Sequence, residues 1–417
     1  MIAPMPAAAT SRSPVIFISA GEASGEHYGA LLAASIQHRL TPKGKTAKLY
    51  GMGGPRMAAA GVECVVRAED MAVMGFTEVV LHLPRIYREF KKLKRAIRAR
   101  RPDVAVLIDF PEIHFRLAKL FHELGVPVIY FVSPQLWAWK EHRIELVRKY
   151  VRRMLVIFPF EESFYRERGV AAEFVGHPLA ELPPPAIARD AFAAENHLDP
   201  ARTWIALLPG SRLGEIGDHL PTMLAAAREL AVSDSGVEFL IPLAPTLDSR
   251  QRAAVARIVA EHGAGLTVRP VDDARAALLH ARASIVASGT ATVEATLIGN
   301  PFVVVYRVSP VTYAIAKRVV KVPHVAMANL IAGKRVVPEL IQHDFTAANI
   351  VQQLGLLLPD GPARQSMIEE LSEIRTRLRA AGIGAGAIDR VAEAVLEQLK
   401  ADQIHEQAHR DVAAAPW

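Results

Sequence analysis

Short apolar runs alternate with helical periodicity along most of this 417-residue chain, and that alternation constrains its fold most. Runs at 15–19, 47–51, 103–108, 126–131, 153–157 and 173–175 read as strands. Residues 25–39, a short piece near 55–60, and 112–124 read as helices. Strands that are apolar throughout are buried on both faces, which is how strands of a parallel sheet covered by helices read. The rhythm stops at 177–203, HPLAELPPPAIARDAFAAENHLDPART, where three prolines are consecutive. It resumes with runs at 204–208, 239–243, 266–268, 283–287 and 302–306. The pattern predicts an α/β protein with two Rossmann-like, doubly wound parallel-sheet domains. The expected boundaries are a disordered tail at 1–13, a first domain at 14–185, a linker at 186–203 and a second domain at 204–364. Helices over 365–400 can cross back to the first domain, and 401–417 reads as a tail. Ligands of open α/β sheets bind beyond the carboxyl ends of the strands, so both domains can present loops to a central cleft.

Composition narrows the class. Hydrophobic residues make up 51% and charged residues 22%, which is a globular balance. The single cysteine, Cys64, excludes a disulfide framework within one chain and fits a reducing compartment. Residues 1–14 lack the basic start and apolar stretch of a signal peptide. No stretch approaches the ~18 consecutive apolar residues of a membrane span. The formal net charge of +6 suits an anionic partner such as nucleotide, lipid or nucleic acid, without choosing among them.

Three turns after apolar runs carry chemistry. SAGEASGEHYGA (19–30) places Gly21 and Gly25 after the first run, with Glu22, Ser24 and Glu26 among them. It matches neither phosphate-loop fingerprint, and its acids repel phosphate. ASGTATVEATLIGNP (287–301) makes a better anion site. Ser288, Gly289 and Thr290 open a helix whose free N–H groups and dipole favour a diphosphate by roughly 0.3–2 kcal/mol. Glu294, one turn on, suits ribose hydroxyls. An ordinary Ser/Thr cap gives the same pattern. LLPGSRLGEI (207–216) adds Ser211 and Arg212, whose guanidinium can fork onto phosphate oxygens at a helix start where a cation is otherwise unfavourable.

VAVLIDFPEIHF (104–115) ends a buried run on Asp109, with Glu112 and His114 close behind. Asp109 reads either as a helix N-cap or as a general base mounted on a rigid strand end. Residues 79–101 carry nine Lys/Arg after Pro84 and one acid, Glu89. Ile86, Phe90, Leu93 and Ile97 recur at helical spacing, so this stripe meets either the core or an anionic membrane surface. Nucleic acid is disfavoured, because aromatic platforms for stacking bases are missing.

Taken together, the motifs resemble the lipid-A-disaccharide synthases, glycosyltransferases of the GT-B fold. The matching segments include AGEASGE (20–26), GMGGPRM (51–57), MAVMGFTEVV (71–80), RPDVAVLIDFPE (101–112), VIYFVSPQLWAWKEHRI (128–144), FPFEESFY (158–165) and FVGHPLAE (174–181). LLPGSR (207–212), ASGTATVEA (287–295), AKRVVK (316–321) and NLIAGKRVVPELIQ (329–342) follow in order. The resemblance implies transfer of a sugar from UDP-2,3-diacylglucosamine to 2,3-diacylglucosamine 1-phosphate. It implies a cytoplasmic enzyme on the inner face of a Gram-negative inner membrane, with an anionic membrane surface as partner and a homodimer as an option. It implies no cofactor and no obligatory metal, in keeping with the absence of an Asp-x-Asp pair and of Zn-type Cys/His spacing.

On that resemblance Asp109 becomes the general base and Arg212 the group that meets the charge leaving on UDP. Ser211, Ser288, Gly289, Thr290, Glu294, Arg307 and Asn329 fall to the nucleotide. Gly21, Glu22, Ser24, Gly25, Glu26, Glu112 and Trp139 fall to the acceptor. Glu26 and Glu112 depart from the family's shorter Asp at those positions. Rival readings are a UDP-N-acetylglucosamine 2-epimerase, the peptidoglycan N-acetylglucosaminyltransferase, and a membrane-associated binding protein without chemistry.

Overall fold

A computed structural model describes residues 12–71, 76–320, 322–380 and 386–413. Most of the expected N-terminal tail (1–11) and residues 72–75 of the MAVMGFTEVV motif lie outside the described residues. The chain divides into two compact units. The first comprises 1–136, 140–178 and 380–417, and the second 137–139 and 179–379.

The first unit holds a seven-stranded parallel sheet. Its strands are β1 (Val15–Ala20), β2 (Lys48–Gly53), β3 (Glu63–Arg67), β4 (Val104–Ile108), β5 (Val128–Phe131), β6 (Arg153–Val156) and β7 (Ala172–Phe174), in the order β3-β2-β1-β4-β5-β6-β7. The central strands are apolar and fully buried, and Phe17, Leu107, Phe121 and Tyr130 belong to one core. The two edges carry charge instead, at Glu63 and Arg67 and at Glu173, which blunts them against further pairing. Strand order reverses between β1 and β4, where Ala20 pairs with Ile108. The next residues on each strand, Gly21 and Asp109, therefore stand together at the switch point, the place where open α/β sheets take ligands.

The basic stretch forms the helix Phe76–Arg100. Leu93 and Ile97 are fully buried, and Ile86 and Phe90 pack on the same core. These four residues of the apolar stripe are thus spent on the protein's own core, and among the described side chains Leu83 and Tyr87 stand exposed.

The second unit repeats the plan with β8 (Thr203–Leu208), β9 (Val237–Pro242), β10 (Val268–Val271), β11 (Ala283–Ala287), β12 (Phe302–Tyr306) and β13 (Glu339–Ile341). The order is β10-β9-β8-β11-β12-β13, all parallel. Its switch point lies between β8 and β11, so the turns at 209–212 and 288–290 sit side by side.

Two boundaries differ from the sequence expectation. The stretch 186–203 is not a bare linker: it contains the helix Arg189–Asn196, whose Phe192 and Ala193 are buried with Trp204 in the second unit. Its Arg189 guanidinium stacks 3.6 Å from the Trp204 ring centroid. Residues 401–413 are not a frayed tail but the end of the helix Ala387–Ala413. The C-terminal helices also part company. Pro362–Arg377 buries Met367, Leu371 and Ile374 in the second unit. Ala387–Ala413 lies along the first unit's helix Ala23–Leu40, where Ser35 Oγ donates to Asp389 at 2.6 Å and Arg39 pairs with Glu393 at 2.9 Å. Among the described residues no helix is long and apolar enough to cross a membrane.

Candidate active site

Asp109 ends β4 in a conformation that side chains rarely adopt. Asp109 and Phe110 both have left-handed backbone, with φ of 51° and 49°, and Val132 beyond the adjacent β5 has φ of 62°. For phenylalanine and for a β-branched residue that region is strained. Buried polar groups hold it in place. The Asp109 carbonyl accepts from Tyr130 Oη and from His114 Nδ1, both at 2.6 Å, and its N–H donates to the Phe131 carbonyl at 3.0 Å. A carbonyl only accepts, so the His114 proton is on Nδ1, and Nε2 accepts from Ser19 Oγ at 2.8 Å. His114 is fully buried, which lowers its pKa to about 4 and keeps the ring neutral.

The Asp109 carboxyl itself is pushed up to about 7. Burial is the largest cause, the like charge of Glu22 adds to it, and the Phe110 N–H partly opposes them. Asp109 is not the N-cap of the following helix. That position of Pro111–Glu123 falls to Phe110, and no side chain caps it.

The other first-unit candidates divide. Gly21 is buried beneath Phe110, where an added Cβ would lie 2.3 Å from the ring. Gly25 makes only ordinary contacts. Glu22 is the extended N-cap residue of Ala23–Leu40, and Ser24 is half-buried in that first turn. Two acids have partners within the protein. Glu26 Oε1 accepts from Arg56 N at 2.7 Å and so caps the helix Pro55–Ala59. Glu112 accepts a forked pair from Arg143, at 2.9 and 3.0 Å, and a third bond from Lys140 at 2.9 Å. The Arg143 fork leads in holding its carboxyl down, at about 2. Glu112 therefore ties Lys140 and Arg143, which follow β5, to the helix behind Asp109. Trp139, assigned to the second unit, is 43% exposed.

In the second unit Gly210 turns with φ of 122°, and a Cβ there would meet Glu215 at 2.7 Å. That turn exposes Ser211 and Arg212, with Arg212 Nη1 paired to Glu215 at 2.9 Å. An exposed pair of this kind is worth little, so phosphate oxygens compete for the guanidinium at small cost. Gly289, with φ of 146°, precedes the helix Thr290–Ile298, and both Gly289 and Thr290 are exposed at its N-terminus. Ser288 Oγ reaches the Val325 carbonyl at 3.5 Å. Glu294 is half-buried, burial raises its pKa, and no described residue hydrogen-bonds its carboxylate.

Arg307 and Asn329 brace the site. Arg307 donates to Thr222 Oγ1 at 3.2 Å and to the Phe345 carbonyl, with its guanidinium over the Phe345 ring. Asn329 is fully buried. Its Nδ2 donates to Val337 O and Glu339 Oε1, while Oδ1 accepts from the Val336 and Val337 amides. All four of its side-chain hydrogen-bonding positions are filled, so the side chain holds the loop. Sequence reasoning passed over His219. Fully buried, it donates from Nδ1 to the Pro209 carbonyl at 2.8 Å and accepts the Arg307 N–H at 3.1 Å, tying the ends of β8 and β12 together.

Comparison with known proteins decides what this pair of switch points belongs to. The family described as lipid-A-disaccharide synthetase matches residues 16–382. The chain belongs to this family. A lipid-A-disaccharide synthase of Acidobacterium capsulatum is 58% identical over 399 residues, covering 94% of this chain and 98% of that one. One from Koribacter versatilis is 50% identical over 381 residues, covering 91% and 97%. Among solved structures, a glycotransferase of kitacinnamycin shares the fold with a TM-score of 0.61 at 17% identity, covering 93% and 99%. A UDP-N-acetylglucosamine 2-epimerase from Neisseria meningitidis does so with 0.56 at 13%, covering 93% and 100%. Transferase and epimerase neighbours together establish the GT-B fold. The fold leaves the reaction open; the family membership selects glycosyl transfer.

Proposed function

We propose that the chain joins UDP-2,3-diacylglucosamine to the 6-hydroxyl of 2,3-diacylglucosamine 1-phosphate, releasing UDP and a β-1,6-linked disaccharide 1-phosphate. As a member of the lipid-A-disaccharide synthase family the chain is a glycosyltransferase. The observation that carries the mechanism is the strained, desolvated Asp109 at the β1/β4 switch point, with its pKa raised to about 7. A base works best when its pKa lies near the operating pH, and Asp109 meets that condition.

In this reading Asp109 takes the proton of the acceptor's 6-hydroxyl as that oxygen bonds to the donor's anomeric carbon. The bond from that carbon to the β-phosphate oxygen breaks, its electron pair leaves with UDP, and the anomeric configuration inverts. Arg212 meets the charge that develops on the leaving diphosphate, the amides at the start of Thr290–Ile298 cradle it, and Glu294 accepts from the ribose. These groups supply the charge that a divalent cation supplies in other transferases, so the reading requires no metal. In the same reading the enzyme works at the anionic cytoplasmic face of the inner membrane, which acylated substrates and a net charge of +6 support.

Turnover of the Asp109→Asn variant tests the base. We expect kcat to fall about 10²–10⁴-fold with UDP affinity unchanged, and wild-type turnover to rise as pH passes about 7. A variant that keeps near-normal turnover removes Asp109 from the mechanism.

A further inference from the structure

The segment 308–325, VSPVTYAIAKRVVKVPHV, contains no acid and is apolar in alternate stretches. It forms the helix Pro310–Val319, started by Ser309 Oγ accepting the Thr312 N–H at 3.2 Å. None of its ten residues is buried. Val311, Ile315 and Val319 are 70, 57 and 43% exposed. At a spacing of four they form one stripe along the helix. Val320 and Val325 are each 40% exposed as well. The other exposed large apolar residues described in this unit, such as Val232 and Leu279, are scattered along the sequence, which is normal for a surface. A helix this short is marginal without a packed face, and no described residue of its own unit buries this one.

We propose that the stripe of Pro310–Val319 docks on an anionic lipid bilayer. Charge chooses the occupant. Arg318 borders the stripe, Lys317 lies on the opposite side of the helix, and no Asp or Glu occurs anywhere between Arg307 and Glu339. Glu339 itself is occupied with the Val325 and Ala326 amides. A second copy meeting the same face would bring like cations together. Anionic headgroups accept them, while the valines and isoleucine enter the acyl boundary and the long cationic stems reach back to the phosphates.

The segment is tied to the nucleotide loops at both ends. It leaves the sheet at Arg307, and it returns at Val325, whose carbonyl meets Ser288. A bilayer held by this helix lies beside the loops that receive the donor, and an acylated donor would be drawn from that bilayer. This last link rests on the proposed reaction; the docking does not.

The full-length protein, without substrate, is sedimented with vesicles of mixed phosphatidylglycerol and phosphatidylcholine, and with phosphatidylcholine alone. Wild type should bind the mixed vesicles more tightly. Ile315→Glu and Val311→Glu should each weaken that binding about ten-fold or more, with Tm and UDP affinity unchanged. Arg318→Gln should weaken it about five-fold, and only for the anionic vesicles. Because no substrate is present, failure of the reaction leaves this result standing, and the converse also holds. Variants that sediment like wild type overturn the proposal. So does gel filtration in which Ile315→Glu turns a dimer into a monomer while vesicle binding is retained, since the stripe then covers a second copy.

Discussion

At the scale of single residues, the site is organised by how polar groups are spent. The Asp109 carbonyl is anchored twice, by His114 and Tyr130, and the anchors fix a left-handed pair that would otherwise relax. Its carboxyl is the group left to act. Holding that carboxyl costs stability, and the sign follows from the shift. With a pKa near 7 when folded against 3.8 when unfolded, the native protein keeps a proton through that interval which the unfolded chain has lost. Stability therefore falls as pH rises from about 4 to about 7, and the cost is complete above it. Asp109→Asn removes the cost. We expect the variant to gain at least ~1 kcal/mol over wild type above neutrality, roughly 2–4 °C in Tm, and little at the acid end of the interval. Calorimetry at both ends checks this, and a pH-independent difference contradicts it. The position of Asp109 at a strand end was legible in the sequence because it closes a buried apolar run. The structural partners of Glu26, Glu112 and Asn329 were not legible, because they come from elsewhere: Arg56, Arg143 and the 336–339 loop. A linear motif does not show where a side chain finds its hydrogen bonds.

At the scale of elements, strand, glycine turn and helix recur at both switch points, and each glycine has its own reason. Gly21 yields room to the Phe110 ring, and Gly210 to Glu215. Gly289 has open space around it but a φ of 146°, which other residues adopt only under strain. Gly289→Ala should therefore destabilise the second unit by about 1–3 kcal/mol and weaken UDP binding, because relaxing the turn rotates the first amides of Thr290–Ile298. Chemical denaturation and UDP titration read the two effects. An alanine variant with wild-type stability removes the backbone argument. The interior strands were readable because burial on both faces leaves an unbroken apolar run. The edge strands β3 and β13 were not, since one is charged and the other has three residues. Three prolines drew attention away from the helix Arg189–Asn196, whose apolar positions are too few to show a period.

At the scale of the whole molecule, two copies of one sheet plan carry different tasks. In the proposed reading the first unit mounts a base on a strained strand end, and the second offers amides, a guanidinium and a carboxylate to a nucleotide sugar. The helix Ala387–Ala413 returns to the first unit, with Val391 and Val395 fully buried there, so the chain's last element completes its first domain. The sequence could show amphipathic helices at this end but not which sheet they serve, because an apolar stripe does not name its partner. The division of labour has a direct test. Purified protein is supplied with both diacylated glucosamine substrates, together and singly, and the products are read by mass spectrometry and by release of UDP. The account predicts one disaccharide 1-phosphate for each UDP released, and no UDP release with the donor alone. UDP release without an acceptor, or folded protein that forms no disaccharide with both lipids present, contradicts it.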